Sequence, residues 1–458
     1  MANEINTMTR NEATLKASIE RLLENKRYAT LKDIFITLQP ADIAAMFDEM
    51  PEEALPLLFR LLPKELAAET FVEMDDDAQE MLIHGFSDTE LKEVVDELYV
   101  DDAVDLIEEM PANVVMRILR QADPEVRAKI NEVLKYPEDS AGSIMTTEFV
   151  NLRPTMTVSD SIKRIRRTGV DKETIYTCYV TDDNRKLIGM ISIKTLLLAD
   201  EDEIVMDIME SNVISVNTLD DQERVANLFG KYDFLAIPVV DGENRLVGIV
   251  TVDDAMDVMQ EETTEDMEVM AAITPTDKPY MKTGVLETYR KRIPWLLVLM
   301  ISATFTGWII SSYENALAAQ VALTAYIPML MDTGGNSGSQ ASVTVIRGLS
   351  LDEIKFRDLP RVIFKESRVA ILCGVTLALT NFLKLMLFDG VGLQVALVVS
   401  LTLICTVFVA KIIGCALPLA AKKIGFDPAV MASPFITTAV DAISLLMYFQ
   451  IAKVFLGI

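Results

Sequence analysis

Histidine occurs once in this chain, as His84, and cysteine only four times, at Cys178, Cys373, Cys405 and Cys415. None of the cysteines forms a CxxC pair, and three lie in apolar runs. Zinc, copper and iron–sulfur centres need clustered thiolates and imidazoles, so this inventory speaks against them. It also implies no disulfide framework, which fits a reducing compartment. No nucleophile–base signature and no phosphate-cradling loop is present, so catalysis is not expected. The start, MANEINTMTRNEA, lacks the apolar core of a secretory signal.

Positive charge is scarce in one part of the chain only. The first 289 residues carry 28 Lys/Arg against 60 Asp/Glu, whereas the rest carry 14 against 9. Nucleic acid and anionic lipid need clustered Lys/Arg, so the acidic part points to cations or a basic protein face, and no nucleic-acid partner is expected. Excess charge that merely keeps a domain soluble is the alternative.

Beyond residue 290 the chain is strongly apolar. Ile293–Ser312 is long enough to cross ~30 Å of hydrocarbon. Ala316–Met331, Val369–Phe388, Gln394–Leu419 and Ala429–Phe455 are further candidates, giving five spans in a lipid bilayer. Basic residues mark one side: Arg290, Lys291 and Arg292, then Arg347 to Arg368, then Lys422 and Lys423. By the positive-inside rule all three groups, and the acidic N-terminal part, are cytosolic.

Polar residues inside spans are costly and therefore informative. Asp441 sits in the middle of the fifth, in SPFITTAVDAISLLMYF, with Ser433, Thr437 and Thr438 on the same helical face. Either it lines an ion path or it forms a buried pair, with Lys411 as the candidate partner. The segment PMLMDTGGNSGSQ is expected to break from a simple lipid-facing helix and to line water. Close helix packing would account for its glycines, but less well for Asp332, Asn336 and Gln340. Oxygen-rich groups of this kind suit a hard cation.

Residues 31–134 read as short helices punctuated every 9 to 14 residues, at DEMPEE, RLLPKE, EMDDDA, GFSDTE, YVDDAV, EEMPAN and QADPEV. Such a loose period predicts stacked hairpins, an α-superhelix. Residues 144–265 hold two copies of a unit with a strand, a helix and two strands around a polar turn, DDNRK in one and DGENR in the other. The duplication resembles a tandem CBS pair, an α/β module that often takes adenosine ligands. The resemblance implies a ribose-holding Asp after Gly-x-x-Thr/Ser. The second copy offers Gly248, Thr251 and Asp254, and the first has Thr195 at the equivalent place. Next, Asp254, Asp257, Glu261 and Glu265 step at three and four along one helix face. Like charges so spaced destabilise a helix unless cations or solvent neutralise them.

Together with RKRIPWL and MDTGGNSGSQASVTVIRGL, these features resemble the MgtE-type magnesium channels along essentially the whole chain. The resemblance implies a multidomain membrane protein. Residues 1–143 would be a cytosolic α-superhelical domain, 144–252 the CBS pair, 253–289 a connecting plug helix and 290–458 a five-helix transmembrane domain. It implies a homodimer in a bacterial-type inner membrane, with Mg2+ as cargo and regulator and ATP as a CBS ligand. Carried over by position, Asp441 resembles the pore carboxylate, although Ser433 stands where some members have Asn. Asp254, Asp257, Glu262, Glu265, Asp266, Glu223, Asp233 and Asp427 resemble regulatory carboxylates, with Asp101, Asp102 and Asp105 as opposing ligands. A secondary divalent-cation transporter or a non-conducting metal or nucleotide sensor is the rival expectation.

Overall fold

The structure is a computed structural model and describes residues 15–48, 50–276, 280–281, 283–351, 353–431 and 433–457. The chain divides into two compact units after Met259.

In the first unit the expected punctuation is realised as short helices: α1 (Tyr28–Phe35), α2 (Pro40–Asp48), α3 (Leu55–Phe59), α4 (Lys64–Val72), α5 (Asp76–Gly85), α6 (Asp88–Val95), α7 (Val100–Glu109), α8 (Ala112–Gln121) and α9 (Pro124–Val133). Some of the punctuating residues cap the helix that follows with their side chains. Asp75 accepts from the amide of Ala78, and Ser87 and Glu90 close a reciprocal capping box. Helices next but one in sequence pack together, α2 on α4, α4 on α6, α6 on α8 and α7 on α9, as in a superhelix of hairpins. Phe59, Phe71 and Phe86 meet in its core at ring separations of 5.3–6.3 Å.

The duplicated segment forms two sheets of identical topology. In each, the first strand runs parallel to the second and the second antiparallel to the third: β1 (Val150–Leu152), β2 (Thr177–Thr181) and β3 (Leu187–Ser192), then β4 (Val216–Asn217), β5 (Ala236–Val240) and β6 (Leu246–Thr251). Both polar turns use the same device. Asp182 accepts from the amides of Asn184 and Lys186, as Asp241 does from Glu243 and Arg245. The two turns then bond each other reciprocally, Leu187 N to Asn244 O and Leu246 N to Arg185 O. Between the strands lie α10 (Val158–Thr168), α11 (Ile193–Leu198), α12 (Val205–Ile208) and α13 (Gln222–Tyr232), and α14 (Val252–Met270) follows β6 across the division.

The second unit is helical: α15 (Val285–Ser312), α16 (Glu314–Ala319), α17 (Ile327–Ser350), α18 (Leu359–Lys384), α19 (Leu393–Ile424) and α20 (Ser433–Leu456). Among the described residues four helical segments are long and apolar enough to cross a membrane, those containing α15, α18, α19 and α20. Two sequence expectations are corrected here. The second candidate span is not Ala316–Met331: that stretch is broken between α16 and a 3-10 turn, and a continuous helix begins at Ile327. The Gly-rich segment is not irregular either, since all of it lies within α17. The reason is packing, because α17 is wedged against both α19 and α20.

The tightest approach joins Gly338 of α17 to Gly414 of α19. A Cβ on Gly414 would collide with the Gly338 carbonyl, which is backbone and cannot swing away. Gly414→Ala is therefore expected to destabilise the membrane unit by about 1–3 kcal/mol, as overpacking does. Thermal unfolding in detergent checks this, against Gly284→Ala, where the added methyl meets open space. The basic residues gather at one end of this bundle. Lys422 Nζ donates to the Leu349 carbonyl at 2.7 Å, and Lys423 lies 4.1 Å over the Phe356 ring.

Candidate functional site

The membrane unit carries a polar stripe. Asp332, Asn336 and Gln340 recur every four residues on α17 and are exposed in the isolated chain, while the glycines and Ser337 of the same helix are buried. Asp441, at mid-length in α20, is half-buried and within electrostatic reach of Asp332. Thr437 and Thr438 precede it on the same helix, and both hydroxyls donate to the Pro434 carbonyl at 3.0 Å. Thr437 also sits over Gly335 of α17, which brings the two helices together. Ser433 begins α20, but its side chain lies outside the described residues.

The expected alternative partner of Asp441 is engaged elsewhere. Lys411 of α19 is buried and pairs with Glu366 of α18 at 3.7 Å. Among the described residues Asp441 has no ion pair, so its charge is available to a cation. Near the basic end, Asp427 is exposed and caps the Ala429 amide at 2.7 Å. Val269 and Met270, the end of α14, pack on Ile346 and Ala429 beside it. Glu262, Glu265 and Asp266 lie on this part of α14.

In the first unit the structure gathers carboxylates from three segments. Asp101 and Asp102 open α7, Asp253 and Asp254 open α14, and Glu173 precedes β2. Burial, then the charges of Asp254 and Asp253, pushes Asp102 up to about 7. Burial, then Asp102 and Asp254, pushes Glu173 up to about 8. Burial, with Asp253 opposing its ionisation, raises Asp254 to about 6, even though the Thr251 hydroxyl donates to it. Asp101 is only 5% exposed and is raised well above the usual range by burial and by Asp254. One oxygen each of Asp101 and Glu173 is buried with no hydrogen-bond donor. No ion pair reaches any of these five groups among the described residues. A buried charge without a partner is costly, so these groups hold their protons unusually tightly unless a cation neutralises them.

No three of these groups converge as tightly as a formed metal shell among the described residues. A cation held here would have to keep part of its water, as Mg2+ does. Asp105, Glu223 and Asp233 are not among the main charges acting on the cluster, and Asp257 on α14 is raised chiefly by its own burial and by Asp253. Glu173 escaped the sequence reading, because beside Lys172 in DKETIY it looks like an ordinary surface ion pair.

These shifts carry a sign. Each carboxyl binds its proton more tightly folded than unfolded, so this stabilisation is present at low pH and fades as pH rises through about 6, 7 and 8. In metal-free buffer the unfolding temperature of the acidic unit should fall between about pH 5 and 8. Millimolar Mg2+ should restore it, a comparison that calorimetry on the full chain makes directly.

A cavity of about 280 Å³ opens between the two CBS units, lined by Ser192 and Thr195 of the first and by Asp233, Phe234 and Leu235 of the second. Neither Thr251 nor Asp254, the expected nucleotide pair, lines it. Asp254 is held by Thr251 and belongs to the acidic cluster instead.

A divalent cation transporter family matches residues 327–451, an MgtE intracellular N domain matches 38–139, and CBS domains match 141–202 and 205–261. The chain is 36% identical to the magnesium transporter MgtE of Thermus thermophilus over 97% of its own length and 99% of the relative's. It is 34% identical to the magnesium transporter MgtE of Bacillus subtilis, over 99% of both chains. Among solved structures, the cytosolic domain of the Mg2+ channel MgtE in complex with ATP matches 53% of this chain and 99% of that one, with a TM-score of 0.51 and 37% identity.

Proposed function

The chain belongs to the MgtE family of magnesium transporters, and from that premise we propose that it is a Mg2+-selective channel closed by Mg2+ on its own cytosolic domains. Mg2+ crosses the membrane along the polar stripe of α17 and α20. The observation that carries this reading is Asp441, within electrostatic reach of Asp332 and without an ion pair among the described residues, with Lys411 committed to Glu366. Two copies of the chain would set two Asp441 carboxylates about one axis, holding a partly hydrated ion by outer-shell contacts. The membrane potential drives entry at ~2.3 kcal/mol per charge per 100 mV, without ATP hydrolysis.

On this reading α17 is the second of five spans, polar because it lines the path and glycine-rich because it is packed on both sides. The basic end faces the cytosol of a bacterial-type inner membrane. Residues 1–143 form the acidic superhelical domain, 144–252 the CBS pair, 253–289 the plug region and 290–458 the pore.

At low cytosolic Mg2+ the carboxylates of α7 and α14 repel one another and leave α14 free. At high Mg2+ the ions bridge them, while Glu262, Glu265 and Asp266 of α14, with Asp427, hold its far end at the mouth. Asp105, Asp257, Glu223 and Asp233 are placed in the same regulatory set. Feedback needs only two states that bind different numbers of ions. The cavity at Ser192, Thr195 and Asp233 is the place for an adenine nucleotide such as the ATP bound by the related cytosolic domain.

The test is Mg2+ influx into proteoliposomes holding a trapped Mg2+ dye. Influx should follow the imposed gradient and voltage with no coupled ion. Influx that requires a second ion gradient would make the chain a secondary transporter, and none at all would leave a sensor.

A further inference from the structure

We propose that Glu173 of the first CBS unit is itself a ligand of the regulatory divalent cation, so that this ion ties three segments together: α7, the start of α14 and the loop before β2. The inference rests on the regulatory reading above and adds to it a residue from a segment to which nothing else assigns a cation.

Four observations place Glu173 there. Its Oε2 is buried and accepts from no donor, and Oδ1 of Asp101, itself 5% exposed, is in the same condition. Asp101 feels the charge of Glu173, and Glu173 feels those of Asp102, Asp254 and Asp253. The loop is held in place, since the Glu173 amide donates to the Glu148 carbonyl at 3.0 Å. The neighbouring cations are directed elsewhere: Lys129 is bound to Glu148 at 2.7 Å, and Lys172 acts on the same carboxylate.

A surface glutamate would turn its oxygens to water, and a structural one would find a donor. Oε2 of Glu173 does neither: it is buried without a donor, as is Oδ1 of Asp101. A hydrated divalent cation supplies both missing things, positive charge and water protons aimed at the orphaned oxygens. Because three segments contribute, binding would fix the acidic domain, the first CBS unit and the root of α14 as one body. With ligands from only two of them, the first CBS unit would be left out.

The test is a MgCl2 titration of the full-length protein in detergent at neutral pH, reading the Mg2+-induced rise in unfolding temperature by calorimetry. Wild type should show a saturable rise. Glu173→Gln should be more stable than wild type in metal-free buffer, since it removes a carboxyl whose ionisation the fold disfavours, and should need at least ~10-fold more Mg2+ for half the rise, one ligand being worth about that factor. Glu173→Asp, which keeps the charge, should fall between them. A merely structural role would instead lower stability in both conditions and leave the Mg2+ midpoint alone.

An unchanged midpoint in Glu173→Gln, with a shifted one in Asp254→Asn, would overturn the assignment of Glu173 and leave the regulatory site standing. Absence of any Mg2+ response in wild type would remove both.

Discussion

Asp441→Asn should abolish Mg2+ influx, at least ~30-fold below wild type, and leave the protein folded. Asparagine has the same shape, and the carboxylate it replaces is half-buried with no ion pair among the described residues. Losing that charge removes a desolvation cost, so thermal stability in detergent should hold or rise. Conduction should not survive, because a divalent ion about 5 Å from a carboxylate gains roughly 6–7 kcal/mol at an effective dielectric of ~20. A third of that, left after the ion's own desolvation, is already worth more than ~30-fold. Dye-reported influx into proteoliposomes, at equal protein incorporation, gives the number. Near-wild-type influx in a folded Asp441→Asn protein would remove the ion path from this stripe.

The second large effect is loss of closure. Asp101→Asn combined with Asp254→Asn should conduct at low Mg2+ like wild type, yet stay open when cytosolic Mg2+ is raised at least ~10-fold above the wild-type closing concentration. Both residues lie in the carboxylate cluster, and Asp254 raises the cost of ionising Asp101. Neutralising them removes the repulsion that the ion relieves and the ligands that hold it. The metal-free protein should therefore also be more stable than wild type above about pH 6, where the native Asp254 ionises. Influx measured against cytosolic Mg2+ separates this from a folding defect, since a misfolded protein would conduct under neither condition.

What the sequence made legible was local chemistry. The turns DDNRK and DGENR announced a duplicated unit because an Asp that caps the following amides is a short-range device, and both copies carry it. The α7 and α14 carboxylates were visible as an acidic surplus with no basic neighbours. What stayed hidden depends on which helix lies beside which. The glycines of MDTGGNSGSQ read locally as a broken helix. Only the approach of Gly414, from a helix far along the chain, explains why they are helical and what they are for. The choice of Lys411 between Asp441 and Glu366 is likewise a matter of register between α18, α19 and α20, which no periodicity specifies. Glu173 needed the loop before β2 to be laid against α7, and beside Lys172 nothing in its own segment marks it. Where the expected nucleotide pair, Thr251 and Asp254, would point was hidden for a related reason. Asp254 does follow Gly-x-x-Thr, but it turns to its own Thr251 and to the acidic cluster rather than to the cavity.

The central claim is that cations on the cytosolic carboxylates close a path centred on Asp441. Current recording across a planar bilayer, with Mg2+ raised on the side of the acidic domains alone, tests it most directly. The account predicts open events at micromolar Mg2+ whose probability falls steeply toward zero in the millimolar range, with the current through each open event reduced only modestly. An open probability that stays constant as Mg2+ rises on that side, while current still flows, would contradict it.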